Sequence, residues 1–184
     1  MRKLINSTYL TLDGVIENPV WTSPYFAAEA AEVATELTTG ADAMLMGRAT
    51  YDGFSQVWPS MDESDPATGA AFFNNVKKYV ASRTLKDPTW KNTEVLQGDL
   101  VAAVTALKAR DGKDILQYGY GSVTTQLIAA GLVDEVRFWI HPVLEGVPSF
   151  TSALSDVRAT FELIGSRVFP NGVIVATYRP RATA

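Results

Sequence analysis

The sequence predicts an α/β fold in three layers, a mixed and mostly parallel sheet flanked by helices, closed by a C-terminal antiparallel hairpin. Three observations predict it. Strand-like and helix-like segments alternate through most of the chain. Ala43-Met44-Leu45-Met46 is short, uniformly apolar and followed by Gly47, as expected of a strand buried on both faces. Pro170-Asn171-Gly172 sits between two strand-like runs and is a strong hairpin signal. With 184 residues the chain can build one sizeable core, so residues 1–184 are expected to form a single domain.

The elements follow in order. Lys3 to Thr11 carries Leu4, Ile5, Tyr9 and Leu10 and reads as an opening strand that stops at the turn signal Asp13-Gly14. From Pro24 to Leu37 the apolar residues Phe26, Ala30, Val33 and Leu37 recur at helical spacing, and Gly40 ends the run. After the Ala43–Met46 strand, Arg48 to Phe54 reads as the first turns of a helix. The acidic, Pro-containing stretch 61–68 is a loop. Ala70 to Asn75 is helix, Lys78 to Ser82 strand, and Thr93 to Leu96 a further short strand. Asp99 is placed to cap a helix carrying Leu100, Val104 and Leu107 that closes at Asp111-Gly112. Asp114 to Tyr118 is strand, Val123 to Ala130 helix with Gly131 at its C-terminal cap, and Val136 to His141 strand. Phe161–Phe169 and Val173–Tyr178 form the arms of the hairpin.

Composition removes several function classes. Net charge is -4 and no basic run occurs, so long-range attraction to nucleic acid or to an anionic membrane has no support. The absence of cysteine excludes disulfides, thiolate metal sites and cysteine nucleophiles, and the single histidine, His141, excludes a multi-histidine metal site within one chain. The start lacks the apolar core of a signal peptide and no long apolar run follows. The expectation is a soluble, cytoplasmic protein without a metal.

What remains is local capture of an anion where strands hand over to helices. At Met46-Gly47-Arg48-Ala49-Thr50 the helix start would point free N–H groups and its positive dipole end at the rim of the sheet, with the fork of Arg48 and the hydroxyl of Thr50 suited to phosphate oxygens. The competing reading makes Gly47 a turn residue and Arg48 a solvated charge. Gly119-Tyr120-Gly121-Ser122 repeats the geometry on another strand, with Ser122 and Thr124 as caps or anion ligands; it is not the G-x-G-x-x-G fingerprint, because Thr stands at position 124. Ser82-Arg83-Thr84 ends a third strand with a cation, equally readable as a surface arginine. Two such junctions in one sheet are informative together, because ligands of open α/β sheets sit outside the carboxyl ends of strands. Asp13 is a turn residue or a carboxylate that orients a substrate. Glu29, Glu32 and Glu36 form one helical stripe opposite the apolar one and are expected in solvent. His141 reads as structural, and Trp58 beside Pro59 as core or as a pocket wall.

Taken together these residues resemble the dihydrofolate reductase-like superfamily, in particular the branch that includes the C-terminal reductase domain of riboflavin biosynthesis enzymes. The resemblance spans nearly the whole chain. It is carried by Thr11-Leu12-Asp13-Gly14-Val15-Ile16, Met46-Gly47-Arg48-Ala49-Thr50-Tyr51, Trp58-Pro59, Lys78-Tyr79-Val80-Ala81-Ser82-Arg83-Thr84-Leu85, the Gly119–Ser122 turn, and Gly131-Leu132-Val133-Asp134-Glu135 leading to His141-Pro142-Val143. It departs where the branch often has two adjacent glycines, since Tyr120 follows Gly119, and where a second glycine often follows the one matched by Gly146, since Val147-Pro148 stands there. The first-helix carboxylate with which dihydrofolate reductases bind the pterin has no counterpart facing the core, which argues against folate.

The resemblance implies an NADPH-dependent reductase, an oxidoreductase that transfers hydride to a small heterocyclic or carbonyl-containing substrate resembling a pterin or a riboflavin precursor. It implies one cofactor groove in which Gly47, Arg48, Ala49 and Thr50 hold part of the pyrophosphate and riboses. Ser82, Arg83 and Thr84 surround the adenosine ribose and its 2′-phosphate, and Gly119, Tyr120, Gly121, Ser122 and Val123 meet the pyrophosphate and nicotinamide. Asp13 faces the substrate, and a homodimer follows from the riboflavin-pathway relatives. The alternative on the same fold is a catalytically silent module that binds a nucleotide or metabolite.

Overall fold

The computed structural model describes residues 1–66, 68–146 and 158–181. Val147-Pro148, the altered glycine position, lies outside them. The described residues form one eight-stranded sheet: β1 (Leu4–Thr11), β2 (Ala41–Gly47), β3 (Lys77–Ala81), β4 (Thr93–Val95), β5 (Asp114–Tyr118), β6 (Glu135–His141), β7 (Phe161–Val168) and β8 (Ile174–Pro180), in the order β4-β3-β2-β5-β1-β6-β8-β7. The strands from β4 through β6 pair in parallel, whereas β8 runs antiparallel to both β6 and β7, which makes the C-terminal hairpin. Among the described residues five α-helices flank the sheet: α1 (Ala28–Gly40), α2 (Arg48–Val57), α3 (Ala70–Asn75), α4 (Leu100–Lys108) and α5 (Ser122–Ala129).

Side chains alternate across a strand, so register divides the core into two layers. Ile5 pairs with Leu116 and Tyr9 with Trp139, and on that face Ile5, Leu116, Trp139 and Val175 pack against Ala30, Val33 and Leu37 of α1. Leu4 pairs with Ile115, and on the opposite face Leu4, Leu45, Ile115 and Val136 pack against Val104 and Leu107 of α4 and Leu127 and Ile128 of α5. The strands β2 and β5 are apolar on both sides because both sides are covered, as Ala43–Met46 predicted.

One expected core residue is not in the core. Phe26 is half-exposed, and α1 begins only at Ala28. Residues Val20–Tyr25 form a separate 3₁₀ turn around Pro24, and Ala27 is extended, so Phe26 falls between two helical segments and is not on the stripe. Trp21 and Tyr25 turn inward instead and meet His141 edge-on at 5.0 and 5.7 Å.

Several residues of the resemblance serve the scaffold. The carboxylate of Asp134 accepts from the backbone N–H of Leu4 at 2.7 Å and pairs with the buried ammonium of Lys108, while Glu135 pairs with Lys3 and Arg137. These contacts lock the amino ends of β1 and β6, away from the rim where ligands bind. Lys78 is fully buried without a carboxylate: its ammonium donates to the carbonyls of Asn74 and Val76 and lies 4.4 Å from the Trp90 ring centroid. Burial, with a contribution from the charge of Lys91, pushes its pKa down to about 8. The Glu stripe of α1 faces outward, and Glu36 pairs with Arg167 at 2.6 Å. Among the described residues no helix is long and apolar enough to cross a membrane, and no group of three or more His, Cys, Asp or Glu is placed to hold a metal.

Candidate active-site cleft

β3, β2 and β5 are neighbours in the sheet, so the three turns that follow them emerge side by side at one edge. They line a cleft of about 750 Å³. Gly47, Arg48, Ala49 and Thr50, then Ser82, Arg83 and Thr84, then Gly119, Tyr120, Gly121, Ser122 and Val123 all face it, together with Gln117, Tyr118 and the segment Gly98–Leu100. The topology thus brings together every predicted residue of the three turns.

Each turn has its own physical cause. β2 runs out at Gly47 and α2 begins at once, with a glycine as N-cap and hence no side chain to satisfy the first N–H groups. A side chain at Gly47 would reach Val123 of α5 at 3.4 Å, so its absence lets the two helix starts approach. Gly119 adopts φ +77°, a left-handed conformation that disfavours other residues, and a Cβ there would lie 2.6 Å from the Thr50 hydroxyl. The peptides of the turn are trans. α5 then starts after Gly121, again without a side-chain cap. The adjoining α4 differs, because Asp99 accepts a hydrogen bond from Ala102 N–H at 2.9 Å and supplies its own negative charge.

The glycine turn is held from beneath by residues that sequence reasoning missed. Buried Asn6 donates from Nδ2 to the Gly119 carbonyl at 2.8 Å and to Gln117 Oε1 at 3.3 Å, and its own Oδ1 accepts from the Thr8 hydroxyl at 2.8 Å. The Gly119 carbonyl is thereby turned into the sheet. A polar Asn directly after the apolar pair Leu4-Ile5 in an opening strand was the only available signal, and its partner lies 113 residues away.

The two guanidinium groups of the cleft are not equivalent. Arg48 is already engaged: Nε contacts both carboxylate oxygens of Asp52 at 2.7 and 2.8 Å, and one terminal nitrogen reaches the Thr84 hydroxyl at 3.4 Å. Arg83 is exposed in the cleft wall and makes no hydrogen bond or ion pair with any described residue. Beside it, the Ser82 hydroxyl accepts from the N–H groups of Thr84 and Leu85 at 3.2 and 3.0 Å and shapes the turn.

Asp13 does not line this cleft. Its carboxylate accepts from the Thr11 hydroxyl and from the backbone N–H groups of Gly146 (2.9 Å) and Glu145 (3.3 Å), tying the end of β1 to the chain beyond β6. The Thr11 hydroxyl first, then the Gly146 amide, hold its pKa below the ordinary value. His141 is buried, with Nδ1 at 2.8 Å from the Trp139 carbonyl, and burial lowers its pKa. Trp58 stacks on Phe73 at 3.9 Å and joins Phe54, Phe73 and Tyr118 in an aromatic wall.

The profile of the RibD C-terminal domain family matches residues 2–175. The chain belongs to that family. Its fold is the dihydrofolate reductase-like fold of riboflavin biosynthesis reductases. An uncharacterized protein, YyaP of Bacillus subtilis, is 32% identical over 182 residues, covering 96% of this chain and 94% of the relative. A putative riboflavin biosynthesis protein from Shewanella sp. PV-4 superposes with a TM-score of 0.73 at 21% identity, covering 97% of this chain and 99% of that one. The diaminohydroxyphosphoribosylaminopyrimidine deaminase/5-amino-6-(5-phosphoribosylamino)uracil reductase of Thermotoga maritima superposes with a TM-score of 0.65 at 17% identity, over 98% of this chain and 57% of that one. This chain therefore matches little more than half of that bifunctional relative.

Proposed function

We propose that this chain is an NADPH-dependent reductase that transfers hydride to a small heterocyclic or carbonyl-containing substrate, with the dinucleotide lying across the carboxyl ends of β3, β2 and β5. Membership of the RibD C-terminal domain family supports an oxidoreductase, and the Thermotoga relative is described as a reductase of a uracil derivative. One observation carries the cofactor assignment. Two helix starts without side-chain caps and an unpartnered Arg83 converge on one cleft, which leaves donors and positive charge there with no protein acceptor among the described residues.

The donor set fits a phosphorylated dinucleotide. The amides at the starts of α2 and α5 suit the pyrophosphate, because they are fixed by the backbone and need no side-chain ordering. Arg83 suits the 2′-phosphate of the adenosine ribose, which is the chemical difference between NADPH and NADH. Ser82 and Thr84 flank that ribose, and Tyr120, packed on Phe138 at 5.9 Å, stiffens the turn on the nicotinamide side. When bound, the cofactor supplies the hydride, and the residues of this chain bind, orient and exclude water. Asp13 fixes the loop at Glu145–Gly146 and orients the substrate indirectly, through that loop.

Titration of the purified protein with NADPH, followed by intrinsic fluorescence, and then absorbance loss with pterin, flavin-precursor and quinone acceptors tests the reading. Saturable binding with turnover of at least one acceptor is the expected result. Binding without turnover would favour a silent nucleotide-binding module, and no binding would remove both. The same reading includes a homodimer, supported by β7, the outermost strand among the described residues, on which Leu163, Ile164 and Val168 are exposed. A monomeric mass in sedimentation at micromolar concentration would reject the dimer.

A further inference from the structure

Gln117 is only 1% exposed, yet it is one of the residues that line the cleft. On β5 it pairs with Asn6 of β1 and Leu45 of β2, and it shares with Leu4, Leu45 and Ile115 the side of the sheet covered by α4 and α5. A polar side chain buried on so apolar a face needs hydrogen-bond partners. The direction of its amide follows from a chain of hydrogen bonds that starts at the glycine turn. The Gly119 carbonyl can only accept, so Asn6 turns its NH₂ group towards it, at 2.8 Å. The same NH₂ group stands 3.3 Å from Gln117 Oε1, and an NH₂ group of Gln117 in that place would meet donor with donor. Thr8 donates to the Asn6 oxygen at 2.8 Å, so this first amide is satisfied at both ends. The second is not. Gln117 Nε2 donates to no described residue. Unlike the unpartnered nitrogens of Trp21 and Arg137 and the Thr93 hydroxyl, which are sealed from solvent, this nitrogen opens on the cleft.

We propose that Gln117 is a further cofactor-binding residue, whose amide N–H groups donate to a ribose–phosphate oxygen on the nicotinamide half of the dinucleotide. The proposal rests on the reductase reading for the identity of the ligand, and it adds which half of that ligand this residue holds. Position decides the half. Arg83 follows β3, two strands away from β5, which is about 10 Å at the usual strand spacing. The uncapped helix starts that suit the pyrophosphate follow β2 and β5. With the adenosine 2′-phosphate at Arg83 and the pyrophosphate at those starts, the part of the ligand that reaches beneath the Gly119 turn is the nicotinamide half. Chemistry points the same way. The amide is held by Asn6 and packed into the sheet, so it loses little freedom on binding and fixes the approach of the ring that delivers hydride. Sequence spacing gave no sign of it, because the residue precedes the glycine turn and reads as one more strand position.

Calorimetric titration tests this without turnover. The ligands are NADP⁺ and 2′,5′-ADP, which keeps the 2′-phosphate and lacks the nicotinamide half, and the proteins are wild type, Gln117→Met and Gln117→Glu, each checked by circular dichroism. Gln117→Met removes the amide at nearly the same length. Gln117→Glu keeps an oxygen for Asn6 and replaces the NH₂ group by a second oxygen. The expected result is that both variants bind NADP⁺ about tenfold or more weakly, the loss of one hydrogen bond, while 2′,5′-ADP stays within about twofold of wild type in Gln117→Met. Unchanged NADP⁺ affinity in Gln117→Met, or equal losses of the two ligands, would overturn the assignment. A loss in Gln117→Met without one in Gln117→Glu would overturn it too, because the residue would then only brace Asn6. If the wild type binds both ligands and the variants match it, this inference falls while the reductase reading stands; if the wild type binds neither, that reading falls and takes this inference with it.

Discussion

α2, α5 and α4 all begin at the same cleft, but they begin differently. The first two start after glycines and leave their leading N–H groups without a side-chain acceptor, whereas α4 starts at Asp99, which bonds Ala102 N–H and places a carboxylate on the positive end of the helix. An anion near α2 and α5 meets free amides, Arg48 and Arg83; near α4 it meets a carboxylate. The difference teaches that the cleft is polarised by what its helices lack as much as by the residues it displays. The pyrophosphate of a dinucleotide should therefore settle over β2 and β5 and avoid Gly98–Leu100.

The largest effect is expected where a turn admits no side chain. Gly119→Ala forces a left-handed residue and brings a Cβ to 2.6 Å from the Thr50 hydroxyl, and it should lower stability by about 2–3 kcal/mol and abolish NADPH binding. Chemical denaturation and a fluorescence titration check this. Adding Thr50→Ala should recover part of the stability by removing the clash but not the backbone strain. If Gly119→Ala is as stable as wild type, the turn is not held as described.

Next comes Arg83→Ala, which should weaken NADPH by about 10–100-fold, the range of a charge-assisted hydrogen bond, while leaving NADH nearly unchanged. Equal losses for both nucleotides would place the 2′-phosphate elsewhere. Asp99→Ala removes the cap of α4 and should cost about 1 kcal/mol of stability in the same denaturation experiment, with NADPH affinity unchanged or slightly improved. A large loss of affinity in that variant would mean that the ligand uses the α4 start.

The smallest expected effect contrasts two cations contributed by β3 and its turn. Arg83 is exposed and unpartnered, whereas Lys78 is buried and has its pKa pushed down to about 8 from 10.5. Between these values the unfolded chain holds the Lys78 proton and the folded chain releases it, so stability should rise with pH across that window. Denaturation midpoints measured on either side of it should show the rise in wild type and not in Lys78→Met. A wild-type profile that parallels Lys78→Met would contradict the burial cost assigned to this lysine.

Local chemistry was the legible part of this molecule. The apolar run Ala43–Met46, the Asp99 cap, the glycine junctions and the Pro170-Asn171-Gly172 hairpin each announce themselves within a few residues, and all were placed as expected. The parallel order β3-β2-β5, which brings three turns to one rim, follows from the alternation of strands and helices together with the resemblance. Less legible were contacts closed by the fold. Asn6 meets Gly119 across 113 residues and Asp13 meets Gly146 across 133, distances over which spacing carries no information. Phe26 fitted the helical stripe, but the 3₁₀ turn around Pro24 shifted the helix start and gave the inward positions to Trp21 and Tyr25. The i,i+4 pair of Arg48 with Asp52 on α2 was likewise not foreseen.

Amide hydrogen exchange of the wild-type protein, with and without saturating NADPH, tests the polarised cleft most directly. The expected result is slowed exchange at the starts of α2 and α5, residues 48–50 and 122–124, with the start of α4 at residues 100–102 unchanged. Protection confined to α4, or none at any of the three helix starts while NADPH is demonstrably bound, would contradict it.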